Sequence, residues 1–100
     1  MINAGDILYS SWGYDQTNID YYQVTKRSGR RVYLQPLTGE IETDDILAMQ
    51  GRCVPGEPKP KQVFYRSVRD GYQGDEYVAI TNYELAYKWD GHARICSWYA

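Results

Sequence analysis

The sequence predicts a mainly β fold: about five or six short antiparallel strands curled into a small barrel, with one short helical turn in the middle. Three observations predict it. Short apolar runs recur with period-two alternation. Tight-turn dipeptides, Ser28-Gly29, Thr38-Gly39 and Asp90-Gly91, punctuate them. The large side chains are eleven Tyr and three Trp against one Phe, and aromatic residues favour strands.

The elements follow in order. Gly5-Asp6 launches a strand over Ile7–Trp12, with Leu8 and Trp12 on one face and Ile7 and Tyr9 on the other. Both faces are partly apolar, as in a sheet covered on both sides. Gly13–Asn18 is too polar for strand. Asp15, Thr17 and Asn18 bond side chain to backbone, so an ordered loop is expected. Ile19–Arg27 places Tyr22 and Val24 on one face and Ile19, Tyr21, Gln23 and Thr25 on the other. Ser28-Gly29 makes a hairpin, and Arg30–Leu37 returns with Val32 and Leu34 inward. Pro36 and Thr38-Gly39 mark the next turn. Ile41–Met49 reads as a strand through Ile41 and then a helical turn capped by Thr43 or Asp44, with Gly51 past its end.

Cys53–Pro60 holds three of the four prolines and reads as an extended connection. Gln62–Arg69 is a strand with Phe64 and Val68 on one face and Val63 and Tyr65 on the other. Tyr77–Ile80 is a short strand. Asn82–Trp89 is either a helical turn or an extended piece. Ala93–Tyr99 is the last strand. The nearest architecture is an SH3-like barrel, with a partly open roll as the alternative.

A chain of 100 residues suits one domain, spanning 1–100. Hydrophobic residues are 43% and charged residues 24%, which excludes a disordered or a membrane-spanning chain. The start, MINAGDILYS, has no basic region leading into a long apolar run, so the cytoplasm is the expected location. Two distant cysteines, Cys53 and Cys96, are then expected as free thiols. One histidine and no C-x-x-C leave no zinc set, so neither metal nor cofactor is expected.

Catalysis finds little support. His92 and Cys96, four apart on an extended chain, sit roughly 13 Å from each other. Asp15 and Asp20 suit turns, and Asp44 and Asp45 suit a helix start. The glycines form no phosphate loop. A non-enzymatic binding protein is expected instead. Tyr and Trp combine a buriable ring with a polar handle and carry interface energy. The expected protein-binding residues are Trp12, Tyr14, Asp15, Gln16, Asn18, Tyr22, Glu40, Glu42, Asp44, Asp45 and Trp89. The alternative is a small nucleic-acid-binding barrel using the basic hairpin tip, Lys26, Arg27, Arg30 and Arg31, with exposed aromatics. The net charge of −2 and the acidic run Glu40–Asp45 weigh against it. A homo-oligomer through Tyr-rich faces is a third expectation; a membrane partner is not expected.

Ser11–Val24, SWGYDQTNIDYYQV, resembles a segment shared by short proteins of phages, plasmids and other bacterial mobile elements, S-W-G-Y-D-Q-T-N-x-D-F-Y-Q-V. Tyr21 stands where Phe is more usual. The end, YELAYKWDGHARICSWYA, is similar to theirs, except that His92-Ala93 replaces a basic residue and Pro after Trp-Asp-Gly. The resemblance implies stoichiometric binding to a bacterial host protein or defence complex, as anti-CRISPR and other anti-defence inhibitors act. It makes the acidic run a candidate imitation of DNA phosphates.

Overall fold

In this computed structural model the described residues are 1–12, 18–42, 50–71, 74–92 and 94–97. They form β1 (Ile7–Trp12), β2 (Asn18–Ser28), β3 (Arg31–Glu42), β4 (Gln50–Pro58), β5 (Phe64–Asp70), β6 (Glu76–Ala79), β7 (Leu85–Lys88) and β8 (Arg94–Ser97). The sheet order is β2-β1-β7-β6-β5-β3-β4-β8, and a further β2–β3 pairing closes the first six of these into a barrel. All pairings are antiparallel. An SH3-like barrel is consistent with this closed, six-stranded form. No helix among the described residues is long and apolar enough to cross a membrane.

Period-two alternation fills the barrel. Leu8, Val24, Val32, Leu34, Val78 and Ala86 point inward and are buried, each large aliphatic contributing about 1.5–3 kcal/mol by leaving water. A second cluster, Tyr21, Leu37 and Cys53 with Ile7, Tyr9, Ile19 and Trp89, draws on the other parity of β1 and β2. It is covered by β4, whose Cys53 carbonyl accepts a 2.6 Å hydrogen bond from the Tyr21 hydroxyl. This is why both faces of Ile7–Trp12 are partly apolar.

β3 makes the flap possible by changing partners. Arg31–Leu34 pair with β5, while the same strand pairs with β2 as far as Leu37. Beyond Leu37 it pairs with β4 through a register shift at Gly39. The turn expected at Thr38-Gly39 is therefore absent; the strand runs on through Glu42. The connection expected over Cys53–Pro60 is likewise strand as far as Pro58. Its prolines are tolerated because β8 pairs only with Gln50–Cys53, leaving the rest of β4 as an edge. Asn82–Trp89 contains a strand, Leu85–Lys88, and no helical turn. Of Ile41–Met49, Ile41 and Glu42 are strand, and the expected helical turn lies outside the described residues.

The Ser28-Gly29 hairpin turns on Gly29 and Arg30, since Ser28 pairs with Arg31 and Gly29 has φ 62°. The free-thiol expectation is overturned for Cys53, which is disulfide-bonded. Cys96, the other cysteine of the sequence, lies on β8, the strand beside β4.

Candidate interaction surfaces

A β-bulge sorts the basic residues. The β2–β3 register shifts between Val24 and Lys26, so Thr25 is an extra residue and the inside–outside alternation reverses beyond it. Lys26 then faces outward, opposite Tyr33, and Arg27 faces inward, opposite Val32. Arg27 closes one end of the barrel. Its Nη1 donates to Glu76 Oε1 at 2.7 Å and to the Ile2 carbonyl at 2.6 Å, and its Nη2 to Glu76 Oε2 at 3.1 Å. The Ile2 amide also donates to Glu76 Oε1, at 2.8 Å. The Arg27 hydrogen bonds and then the Ile2 amide hold the Glu76 carboxyl down at about 2. Arg27 is thus engaged with Glu76 and the Ile2 carbonyl and not presented beside Lys26.

Elsewhere in the barrel, Ser10 and Tyr22 donate to the same carboxylate oxygen of Glu84, at 2.5 and 3.0 Å. Glu84 is 8% exposed. Burial, and then the Glu84 charge, push the Tyr22 phenol well above its ordinary value. Tyr22 is therefore an interior residue and not a surface anchor. Trp89 is half-buried, edge-on to Tyr21 at 5.9 Å, with its Nε1 donating to the His92 carbonyl.

The other expected residues scatter. Trp12 and Asn18 face each other at the end of the β1–β2 ladder. Glu40 is exposed on β3 opposite Val54, and Glu42 pairs with Arg52. Tyr14, Asp15, Gln16, Asp44 and Asp45 lie outside the described residues. His92 sits in an Asx turn, its amide donating to Asp90 Oδ1 at 2.9 Å. Among the described residues no three metal-ligating side chains gather.

Two aromatic faces occupy the barrel's outer surface. The first is a row set by lateral register: Tyr21 opposite Tyr9, Tyr9 opposite Tyr87, Tyr87 opposite Tyr77. Adjacent rings of the last three lie 6.3 and 5.9 Å apart. The β4 flap covers one end, leaving Tyr21 1% exposed; away from the flap Tyr87 is 43% exposed and Tyr77, the last of the row, is half-buried. Leu85 and Tyr83, the latter 77% exposed, extend the open end. Two clefts flank it: one of about 560 Å³ lined by Asp70, Gly71, Asp75, Glu76, Tyr77, Leu85 and Tyr87, and one of about 270 Å³ lined by Tyr9, Ser11, Tyr83, Leu85 and Tyr87.

The second face crosses β2, β3 and β5. Lys26, Tyr33 and Tyr65 are in lateral register. Lys26 Nζ lies 5.7 Å from the Tyr33 ring centre, and the Arg31 guanidinium 4.5 Å over Tyr65. Arg30 at the hairpin tip donates to the Val68 carbonyl and pairs with Asp70 at 3.3 Å.

No family model, curated protein or solved structure matches the chain.

The expected binding residues do not include Tyr9, Tyr33, Tyr65, Tyr77, Tyr83, Leu85 and Tyr87. All but Tyr83, which precedes β7, carry a signal as outward parity in their strands. Only the strand order, which sets β1 beside β7, turns scattered tyrosines into a row.

Proposed function

We propose that the chain is a non-enzymatic binding protein that docks one partner protein through the Tyr9–Tyr87–Tyr77 face. The observation that carries this is the row itself: three rings in contact across three strands, with Tyr87 exposed at its centre and Leu85 and Tyr83 exposed nearby, beside two clefts. Tyrosine-rich, partly apolar patches with pockets are where interface energy concentrates. Rings held by neighbours on a closed barrel lose little freedom on docking. Against catalysis stands the use of the polar groups: Ser10 and Tyr22 are spent on Glu84, and Cys53 on its disulfide.

The resemblance of Ser11–Val24 supports taking the partner from a bacterial host, a defence complex among the candidates, and the cytoplasm as the meeting place. A reducing cytoplasm would open the Cys53 disulfide. Tyr77, Leu85 and Tyr87, on β6 and β7, are not members of the cluster that contains Cys53.

The test is affinity capture from nuclease-treated bacterial lysate, with wild type beside Tyr87→Ser and Leu85→Ser variants whose folding is checked by circular dichroism. The expected result is one protein recovered in a fixed molar ratio by wild type and lost by folded variants. Capture that is equal for the variants, or that disappears on nuclease treatment, would remove the reading.

A further inference from the structure

We infer that the second face, on β2, β3 and β5, is a separate site for single-stranded DNA. It is built from alternating rings and cations. Lys26, Tyr33 and Tyr65 stand side by side across three strands, and the Arg31 guanidinium lies 4.5 Å over the Tyr65 ring. Tyr65 remains 54% exposed even so. Arg69, also on β5, is exposed and lies opposite Tyr77; it has no ion-pair partner among the described residues. The net charge of −2 hides this grouping: Glu76 and Glu84 are engaged in the barrel, and Asp70, which follows Arg69 on β5, is paired with Arg30.

Charge complementarity selects a polyanion, and exposed rings select one with free base faces. A duplex hides those faces in its stack, so a single strand is the better fit. A base can stack on Tyr65, on Tyr33 or on the guanidinium plane of Arg31, while Lys26 and Arg69 neutralise phosphates. Stacking and phosphate contact need no 2′-hydroxyl, so DNA suffices. The bulge at Thr25 supports the site, since it turns Lys26 outward. Lys26, Arg31, Tyr33 and Tyr65 are not part of the tyrosine row, which only Arg69 borders, opposite Tyr77, so either site can fail alone.

Fluorescence anisotropy with labelled oligothymidine tests it, with a hairpin duplex and oligouridine as the other arms. Wild type should bind oligothymidine saturably and at least about ten-fold more tightly than duplex. The log–log salt slope should be about −1.4, from the two phosphate-contacting cations Lys26 and Arg69 at about −0.7 each. Lys26→Gln should bring the slope to about −0.7. Tyr65→Ala should weaken binding roughly ten-fold at unchanged slope, and Tyr65→Phe should retain it. Tyr87→Ser should bind as wild type. Binding no tighter than about 100 μM, the non-specific level, would overturn the site. So would equal affinity for duplex, binding of oligouridine alone, or loss of binding in Tyr65→Phe.

Discussion

Arg27 and Glu76 are 49 positions apart and meet at 2.7 Å across one end of the barrel, with the Ile2 amide on the same carboxylate oxygen. Their side chains are 17% and 10% exposed. The pair ties β2, β6 and the N-terminal segment together, and it holds buried Ile2 in place. Removing the cation leaves a nearly buried carboxylate. Arg27→Gln should therefore cost about 3 kcal/mol, read as a lower urea midpoint.

The same pair sets an acid limit. Glu76 is held at about 2, below the ordinary value of 4.5. Its contribution is full above the unfolded value and is lost as pH falls from there through about 2. Urea midpoints measured from pH 5 downward should fall in wild type and fall less steeply in Glu76→Gln. Parallel curves would show that the pair does not govern acid stability.

Tyr22 offers an alkaline counterpart. Its raised phenol value comes from burial first and the Glu84 charge second. Absorbance at the phenolate band should include a component that ionises only when the barrel unfolds, and Tyr22→Phe should reduce that late component. The substitution also removes a hydrogen bond to buried Glu84, at about 1–2 kcal/mol. A titration unchanged by the substitution would mean that Tyr22 is open to solvent base.

These ends of the barrel mark what the sequence could and could not reveal. Leu8, Val24, Val32 and Leu34 are legible as inward because period two is a local property of a strand. Arg27 is not, because a bulge at Thr25, marked by no glycine or proline, reverses the parity beyond it. The Tyr9–Tyr87–Tyr77 row needs β1 to pair with β7, a contact between the two ends of the chain that alternation does not specify. Thr38-Gly39 and the prolines of β4 mislead for a related reason. They carry turn chemistry, yet β3 and β4 pair straight through them, the prolines on an edge and Gly39 at a register shift.

Gly56 is fixed by space. A Cβ added there would lie 2.5 Å from Thr38 Oγ1 and 2.9 Å from Glu40 Cγ. Thr38 is not at liberty to move, since its Oγ1 accepts the Glu57 amide at 2.9 Å. Gly56→Ala should cost about 1–3 kcal/mol by overpacking the β3–β4 contact. Thr38→Ala in the same chain should recover part of the loss. Additive destabilisation in thermal melts would place the strain elsewhere.

The covered end of the tyrosine row gives the last test. Tyr21 stands where the resembling segments more often carry Phe, and its hydroxyl donates to the Cys53 carbonyl at 2.6 Å inside the second cluster. Tyr21→Phe keeps the ring contact with Trp89 at 5.9 Å but leaves a buried carbonyl short of a donor, costing about 1–3 kcal/mol. Cys53 anchors the same flap through its disulfide, whose loss should cost about 2–4 kcal/mol. Both act at Cys53 of β4, so their effects should not add. Once reductant has opened the bond, Tyr21→Phe should lower the urea midpoint by less than it does in the oxidised protein. An equal decrement in both states would mean that the hydroxyl stabilises the barrel wall and not the flap.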